Sequence, residues 1–354
     1  MPLMADRLFR QWLEPLLAPE TDWIQIEVSS FCNASCIYCP RTVYRDQWQD
    51  RHLSLKTFEL LLPAIRNTDL VFLQGWGEPL LNPNFFEMVH LAKEAGCRVG
   101  TTTNGLLLDG WIMDNLLASG IDIVAFSLAG LDEVNDRFRP GLPAERILSV
   151  IRRLDQKKKE LRFDKPDIHL SYLLLRSGLS QLRQLPKILS GNGISQVVIS
   201  TLDFIPSADL EPESLYPDSV TAYAMIRADL DELAATAAEC GLDVRDNFAP
   251  FEGRKTTCSE NPQGAFFISS DGLLSPCVFT CLPVSGSNAH GSDAPRPYVP
   301  LVFGDINRDC VSSIWKRREY VAFRKSFDSG HAVKPCLSCK KLRASADGTT
   351  TNLP

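Results

Sequence analysis

Short apolar runs alternate with amphipathic segments between residues 23 and 203. The runs are rich in β-branched and aromatic residues, whereas the segments between them place apolar residues every three or four positions and end at Gly or Asn. Six runs are predicted as strands, at residues 23–28, 70–74, 98–103, 122–128, 168–175 and 196–200. Because strands that alternate with helices pair in parallel with right-handed crossovers, the pattern predicts an α/β fold built as a partial (β/α)6 barrel.

The alternation is expected to end near Leu202. Residues 219–241 are predicted as one helix, and residues 265–277 as a β-hairpin with Asp-Gly at its turn. A stretch rich in Gly, Ser and Pro, residues 282–300, is predicted as a mobile loop. The predicted division is an N-terminal helix (1–22), the barrel (23–205), a connector with a helix (206–245), a small α+β domain (246–342) and a flexible tail (343–354).

The composition is that of a globular protein with a large core. Of 354 residues, 44% are hydrophobic and 23% are charged, and the formal net charge is -6. The densest basic run, residues 152–162, is interleaved with acids at helical spacing, so we interpret it as a solvated helix face and expect no nucleic-acid partner. No uncharged apolar run has the length of a membrane span, and charges interrupt the apolar stripe of residues 1–19. We therefore expect a cytoplasmic protein with no membrane partner.

The eleven cysteines are unevenly distributed along the chain. Three lie between residues 32 and 39 and six between residues 258 and 339, while Cys97 and Cys240 stand alone and are predicted to be small buried apolar residues. The odd number, the close spacing and the lack of an export signal argue against a disulfide framework. They favour metal ligation in a reducing compartment.

The first cysteine group consists of Cys32, Cys36 and Cys39, with the spacing C-x3-C-x2-C, and follows the first predicted strand. In α/β folds, the loops at the carboxyl ends of parallel strands carry the functional residues. Three thiolates on one short loop can bind three irons of a cubane cluster and leave the fourth iron open to a substrate or cofactor. The alternative is a Cys3His zinc site that uses His52 as its fourth ligand.

This loop, with the aromatic Tyr38 directly before the third cysteine, resembles the signature of the radical S-adenosylmethionine (SAM) superfamily. The resemblance implies a 4Fe-4S cluster whose open iron binds the amino and carboxylate groups of SAM. It also implies an external one-electron reductant, such as flavodoxin or ferredoxin, and cleavage of SAM to methionine and a 5'-deoxyadenosyl radical that takes a hydrogen atom from the substrate. The protein then supplies orientation and excludes water.

The loop after the second predicted strand also resembles a motif of this superfamily. Gly75, Trp76, Gly77 and Glu78 occupy the place of its GGEP motif, which lines the methionine amino group of SAM. Small residues there let the backbone approach the cofactor, and backbone carbonyls with the glutamate offer acceptors to an ammonium. Trp76 stands where the family usually has glycine.

Further candidate SAM contacts follow the third and fourth predicted strands. Asn104 lies at the end of "TTTNG", on the same rim of the barrel. Ser127 in "FSLAG" matches a serine that the resemblance makes a ribose or carboxylate contact, although Ala129 replaces the usual Asp. The segment "NDRFRPG" resembles the one that supplies an arginine for the SAM carboxylate, which makes Arg139 the candidate; the alternative is a surface charge.

The C-terminal cysteines resemble a second element found on one branch of the superfamily. A C-x13-G-x4-C pattern, a hairpin, an amphipathic helix and a closing CxxC pair are similar to the SPASM/twitch extension, which holds auxiliary 4Fe-4S clusters. The resemblance implies one auxiliary cluster with the ligands Cys258, Cys277, Cys336 and Cys339. A zinc site with the same four thiolates is the alternative. Cys281 and Cys310 stay unassigned, with small buried residues as the favoured interpretation.

The resemblance implies an oxidoreductase or maturase. Enzymes with this extension mostly modify peptides or proteins, so a peptide or protein substrate is expected, and oxidation of a small molecule is the alternative. The form "LQGWGEPLLNP" also resembles chains described as metalloenzyme maturases, including those linked to tungsten enzymes. A metal-binding scaffold without catalytic activity is the other class, but it would have no use for SAM-facing residues on one rim of the barrel.

Overall fold

The computed structural model describes residues 14–248, 255–284, 298–328, 336 and 339–344. The predicted N-terminal helix before residue 14, the loop at 285–297 and the tail after 344 lie outside the described residues. Within the described part of the chain, no helix has the length and apolar character needed to cross a membrane.

In the part of the chain that the structure describes, the strands are β1 (Thr21–Ile26), β2 (Thr68–Leu73), β3 (Arg98–Thr103), β4 (Ile123–Leu128), β5 (Asp167–Leu174), β6 (Ile194–Thr201), β7 (Asp243–Asp246), β8 (Lys255–Cys258), β9 (Ala265–Ile268), β10 (Leu273–Ser275), β11 (Gly304–Asp305) and β12 (Leu342–Ala344). Ten of these strands form one sheet in the order β11-β10-β9-β1-β2-β3-β4-β5-β6-β7. The six predicted strands are confirmed to within two residues, and they pair in parallel in chain order.

Amphipathic helices cover one face of the sheet. In the helix of residues 85–94, for example, Phe85, Met88, Val89 and Ala92 are buried, which is the three-to-four spacing of one helix face. The α-helices are α1 (Glu14–Leu17), α2 (Pro40–Val43), α3 (Leu55–Glu59), α4 (Leu62–Ile65), α5 (Phe85–Glu94), α6 (Gly110–Ala118), α7 (Glu133–Phe138), α8 (Ala144–Glu160), α9 (Leu185–Leu189), α10 (Val220–Glu239), α11 (Val311–Trp315) and α12 (Arg318–Asp328). Short 3-10 helices span Pro79–Leu81, Arg176–Gln184, Ala208–Glu213 and Val278–Thr280.

Side chains alternate between the two faces of the barrel strands. On the first strand and its extension, Ile24, Ile26 and Val28 are fully buried in the core, whereas Gln25 and Glu27 lie on the opposite face, inside the barrel. This alternation gives the barrel a polar interior that opens at the carboxyl ends of the strands.

The prediction that the alternation ends near Leu202 is wrong. The helix α10 was predicted, but it crosses to β7, which pairs in parallel with β6 and continues the βα pattern. At the other edge, β9 of the confirmed hairpin pairs in parallel with β1, so the hairpin extends the barrel sheet. An open barrel leaves unpaired backbone groups at both edges, and these two strands satisfy them.

A separate two-stranded sheet joins β8 to β12, with Leu342 opposite Cys258. The hairpin β9–β10 turns at Gly272, whose φ of +89° is one that glycine adopts without strain. Both features lie next to the C-terminal cysteines, because β8 ends at Cys258 and β10 ends two residues before Cys277.

Candidate functional site

The three-cysteine loop follows β1 and is anchored on both sides. The Cys39 N–H donates to the Cys36 carbonyl over 3.0 Å, and α2 begins directly after Cys39 with Pro40, a residue suited to the first helical turn. The Ile37 N–H donates to the Phe138 carbonyl at the end of α7, also over 3.0 Å. The loop is therefore a fixed turn between the end of β1 and the segment that carries Arg139.

Backbone N–H groups favour the thiolate form of two cysteines in this loop. Burial raises the pKa of Cys39 to about 12 and the neighbouring Cys36 raises it too, whereas the N–H of Arg41 lowers it. Burial also raises the pKa of Cys32, against the N–H of Ala34. In both cases the donor is the residue two positions further along. Hydrogen bonds of this kind to sulfur stabilise thiolate ligands, and a bound cation takes the place of the thiol proton.

The Gly75–Glu78 loop packs directly on the cysteine loop. A Cβ on Gly77 would lie 2.3 Å from the Ser29 carbonyl oxygen and 2.4 Å from that of Phe31, so only glycine fits. The Glu78 N–H donates to the same Phe31 carbonyl over 2.6 Å. Gly75 is equally confined, because its Cβ would lie 2.3 Å from Cγ of Glu27. The glycines of this motif are thus required by contact between two loops.

The Glu78 carboxylate connects this loop to the end of β3. It is buried, and it accepts hydrogen bonds from Thr103 Oγ1 and from the Asn104 N–H, each over 2.8 Å. Burial raises the pKa of Glu78 to about 7 despite these donors. The prediction that Glu78 faces the SAM amino group stays untested, but its two oxygens already hold the loop in position.

Trp76, which stands in place of the usual glycine, points toward the C-terminal part of the chain. Its indole Nε1–H donates to the Val278 carbonyl over 3.3 Å, and its ring packs against Phe279 and Phe204 with centroid distances of 5.5 and 6.2 Å. Its backbone N–H donates to Glu27 Oε1 over 2.9 Å. The side chain therefore ties the loop after β2 to the segment after Cys277.

Asn104 and Ser127 lie at the ends of β3 and β4. The Asn104 amide donates to Asn33 Oδ1 over 2.8 Å and lies 3.8 Å from Cys32 Sγ, so it contacts the cysteine loop. Ser127 is half-buried and pairs in register with Ser171 of β5. Both predicted residues are on the same rim as the cysteines.

Arg139 lies next to the cysteine loop and is only 1% exposed, so the surface-charge alternative is wrong. Among the residues that the structure describes, its Nε and Nη1 have no hydrogen-bond partner. Burial alone lowers the pKa of Arg139, but Tyr38 and the cysteines Cys36 and Cys32 raise it by more. The result is a fixed buried cation with unused donors, which is a site for an anion.

Tyr38 packs against an apolar cluster at the rim of the barrel. It is half-buried in an apolar cluster with Ala129, Phe138 and Leu202, which come from the ends of β4, α7 and β6. Burial raises the pKa of Tyr38 well above its ordinary value, so the hydroxyl stays protonated. The aromatic residue of the motif thus packs the cysteine loop against the ends of β4, α7 and β6.

The four C-terminal candidate ligands form a second group. The β8–β12 ladder brings Cys258 beside the segment of Cys339, and Cys277 is electrostatically coupled to both. Cys336 is coupled to Cys339, and burial raises its pKa to about 12. The N–H groups of Glu260 and Lys341, again two residues further along, lower the pKa of Cys258 and Cys339.

The other cysteines have different surroundings. Cys281 is buried beside the acids Glu27 and Asp271, and burial raises its pKa to about 12. Cys310 precedes α11, and the hydrogen-bond partners described for its sulfur are the hydroxyls of Ser312 and Ser313. Cys97 is buried as predicted, but Cys240 is exposed at the end of α10, so the prediction that it is buried is wrong.

His52, the alternative zinc ligand, is engaged elsewhere. It forms an isolated bridge with Ser29 and stacks on Phe31 with a centroid distance of 4.6 Å. Within the described ranges, no group of three or more His, Cys, Asp or Glu side chains could hold a single metal ion. A cubane is compatible with this spacing, because it binds each thiolate to a different iron.

Two family models match the chain in the regions of the two cysteine groups. Residues 26–162 match the radical SAM superfamily, and residues 258–340 match SPASM, an iron-sulfur cluster-binding domain. The chain therefore carries a radical SAM domain followed by a SPASM domain. Its cofactors are accordingly a 4Fe-4S cluster and SAM, with auxiliary iron-sulfur chemistry in the SPASM domain. The backbone N–H groups beside the thiols, and the two Arg139 nitrogen atoms that have no partner in the described part of the chain, fit this cofactor set.

Similarity to individual radical SAM proteins extends over most of the chain. The tungsten-containing aldehyde ferredoxin oxidoreductase cofactor-modifying protein of Pyrococcus furiosus is 23% identical over 93% of this chain and 90% of its own length. The PqqA peptide cyclase of Granulibacter bethesdensis is 23% identical over 89% of this chain and 78% of its own length. SuiB of Streptococcus suis, solved with SAM, has a TM-score of 0.63 at 14% identity, covering 91% of this chain and 71% of SuiB. This likeness shows the fold.

Two residues that position the radical SAM site, Glu27 and Asn135, were not predicted from the sequence. Glu27 is buried and accepts from the N–H groups of Trp76 and Ser270, so it joins both loops to the hairpin. Asn135 is fully buried and bonds Ala129 and Leu142, which shapes the segment that carries Arg139. An acid within an apolar strand pattern is a signal that could have found Glu27, whereas Asn135 has no comparable signal.

Proposed function

We propose that this protein is a maturase that cleaves SAM reductively at the rim formed by β1 to β4 and abstracts a hydrogen atom from a peptide or protein substrate. An external one-electron donor such as flavodoxin or ferredoxin supplies the electron. When bound, the cluster and SAM together provide a 5'-deoxyadenosyl radical, which is the hydrogen-abstracting species.

The observation that carries this proposal is the buried Arg139 beside the three-cysteine loop. Its guanidinium is buried and has two nitrogen atoms without hydrogen-bond partners among the described residues. Burying such a charge is costly unless an anion pairs with it. The SAM carboxylate is an anion that a planar guanidinium can bind through two parallel hydrogen bonds.

The surrounding residues have distinct roles in this proposal. Cys32, Cys36 and Cys39 bind three irons, and the backbone N–H groups beside them stabilise the thiolates. Asn104 orients the cysteine loop through Asn33. The Gly75–Glu78 loop presents backbone carbonyls to the ammonium of SAM, held in position by the bonds of Glu78 to β3.

The SPASM domain is proposed to hold one auxiliary 4Fe-4S cluster on Cys258, Cys277, Cys336 and Cys339. The pairing of β8 with β12, which brings Cys258 beside the segment of Cys339, supports the assignment. The charge effects of Cys258 and Cys339 on Cys277, and of Cys339 on Cys336, agree with it. Neither Cys281 nor Cys310 has a cysteine among its described contacts that would join it to this group. A cluster held by these four cysteines would accept an electron from the substrate or orient the substrate.

A peptide substrate is supported by the similar proteins. PqqA peptide cyclase is named for a peptide, and SuiB was also solved with its precursor peptide SuiA, at a TM-score of 0.61 over 96% of this chain and 74% of SuiB. The second candidate is modification of a small cofactor. It is favoured by the similarity to the Pyrococcus furiosus cofactor-modifying protein and by Trp76 in the loop after β2.

The first test is anaerobic reconstitution followed by iron and sulfide counting and an assay of 5'-deoxyadenosine. The wild type is compared with a triple-alanine variant, in which Cys32, Cys36 and Cys39 are all replaced. We expect about eight irons in the wild type and about four in the triple-alanine variant, which should form no 5'-deoxyadenosine. Cys240→Ala is the matched control, since replacing this exposed cysteine should change neither the iron content nor the amount of 5'-deoxyadenosine formed.

A fully loaded wild type that does not cleave SAM would contradict the enzyme proposal. Zinc in place of half the iron would contradict the proposal of an auxiliary 4Fe-4S cluster, but not the proposal that SAM is cleaved in the barrel. The substrate class is tested with perdeuterated cell extract separated into peptide and small-molecule fractions. Deuterium in 5'-deoxyadenosine from the peptide fraction supports the first candidate, and deuterium from the small-molecule fraction supports the second.

A further inference from the structure

A buried lysine lies beside the auxiliary cysteines. The side chain of Lys341 is 9% exposed, and its Nζ lies 2.9 Å from Glu260 Oε1 and 3.7 Å from Asp203 Oδ2. Both carboxylates are also largely buried, with side chains 13% and 7% exposed. A buried ammonium is tolerated only when it is paired, so these two acids explain how the charge is kept inside the protein.

Lys341 and two of the residues that it contacts each lie two positions after a candidate ligand cysteine. Lys341 itself comes two residues after Cys339, and Glu260 comes two residues after Cys258. The Nζ lies 4.8 Å from the ring centroid of Phe279, which comes two residues after Cys277. Two of the four candidate ligands, Cys258 and Cys277, therefore have a neighbour that contacts this ammonium, and the neighbour of a third, Cys339, is the lysine itself.

The third member of this charged group belongs to the barrel. Asp203 lies two residues after the end of β6, and its Oδ1 accepts from Thr201 Oγ1 over 2.7 Å. It is electrostatically coupled to Cys339, as Lys341 is to Cys258 and Cys339. The ammonium thus joins a carboxylate at the barrel rim to a residue two positions after an auxiliary cysteine, and its positive charge lowers the pKa of Cys258 and Cys339.

We propose that Lys341 raises the reduction potential of the auxiliary cluster, and that Glu260 and Asp203 hold the ammonium in place. This inference rests on the proposed auxiliary cluster. Reduction adds one electron and takes the cluster from 2+ to 1+, with the donor oxidised by one electron. A fixed positive charge beside the thiolates stabilises the reduced form, and a carboxylate opposes it. Lys341 is therefore a positioning residue for electron uptake, which favours the electron-accepting role of the cluster.

The test uses the full-length triple-alanine variant, which leaves the auxiliary cluster as the single cluster. Its reduction is followed by electron paramagnetic resonance in a potentiometric titration with dithionite. Lys341→Met should lower the equilibrium constant for reduction on the order of tenfold, which is about 59 mV for one electron. Asp203→Asn should raise the constant by roughly threefold, because it removes a negative charge.

Lys340→Met is the matched control, because it is the same substitution one residue away. The Lys340 Nζ contacts Ser214 Oγ over 3.2 Å and lies 5.5 Å from the ring of Tyr216. The charges that act on Lys340 among the described residues are those of the acids Glu211 and Asp203, and no cysteine is among them. We expect a change in the reduction constant of less than about twofold.

The opposite signs separate a charge effect from a structural one. An unchanged or raised constant in Lys341→Met, or shifts of the same sign in Lys341→Met and Asp203→Asn, would overturn the proposal. If Lys341→Met does not retain the cluster, Lys341→Arg and Asp203→Asn serve as the test instead. Lys341→Arg should keep the wild-type equilibrium constant for reduction, and Asp203→Asn should raise it. Any other pair of results overturns the proposal. Absence of iron from the triple-alanine variant would overturn the auxiliary cluster as well, whereas a bound cluster without these shifts would overturn only the role of Lys341.

Discussion

Gly77→Ala tests whether contact between two loops holds the cysteine loop in position. The added Cβ would lie 2.3 Å from the Ser29 carbonyl oxygen, 2.4 Å from that of Phe31 and 2.7 Å from the carbonyl carbon of Ser30. Cβ atoms do not approach other atoms within 3.0 Å, and all three neighbours are backbone, so the loops must separate by at least 0.7 Å. This movement would also stretch the 2.6 Å bond from the Glu78 N–H to the Phe31 carbonyl.

Two terms contribute to the expected cost of this substitution. Forcing extra volume into a packed site costs about 1–3 kcal/mol, and weakening a buried hydrogen bond costs about 1 kcal/mol. We therefore expect the free energy of unfolding to fall by roughly 2–4 kcal/mol. Because Phe31 directly precedes Cys32, we also expect the variant to retain about four fewer irons after reconstitution.

The assay is guanidinium unfolding together with iron counting after gel filtration. Gly110→Ala is the matched control, since Gly110 begins α6 and its Cβ would have no atom within 4 Å. That substitution should be neutral or stabilising by up to about 1 kcal/mol. If Gly77→Ala unfolds like the control and retains all its iron, the two loops do not hold each other as described.

Three further predictions concern individual side chains. Arg139→Lys should weaken SAM binding about tenfold with unchanged iron content, because the planar bidentate donor is lost. Equilibrium dialysis of labelled SAM measures the affinity, and an unaltered affinity would contradict the role of Arg139. Burial raises the pKa of Glu78 from 4.5 to about 7, so its contribution to stability is complete below about pH 4.5 and is lost as the pH rises through about 7. Urea unfolding should therefore show the wild type losing roughly 3 kcal/mol relative to Glu78→Gln between pH 4.5 and pH 8, and parallel pH profiles would rule this out. Cys277→Ala should lose about four irons and Cys281→Ala none. The reverse result in iron counting would make Cys281, and not Cys277, the ligand of the auxiliary cluster.

The barrel strands were predictable because their signal is local. A strand such as β3 is marked by its own six residues and by the helices on either side, and these patterns depend on side-chain periodicity alone. The extension of the sheet by β7 and β9 was not predictable. Each of these strands has only four residues, and its place depends on which edge of the barrel is open.

The candidate site was predictable only in part, for a related reason. The cysteine spacing and the loop at residues 75–78 are contiguous motifs. The burial of Arg139 depends on the contact of α7 with the cysteine loop, and the exposure of Cys240 depends on which face of α10 packs on the barrel. A single sequence carries no measure of such packing.

The sequence by itself determined the order of strands and helices, the two cysteine groups and the resemblance to radical SAM proteins. Only the tertiary structure decided which charges are enclosed beside those cysteines. Lys341 meets Asp203 across more than a hundred residues, and Trp76 meets Val278 across 202. Periodicity and spacing act over a few residues, whereas burial of a charge depends on chain segments that meet only after the fold has closed.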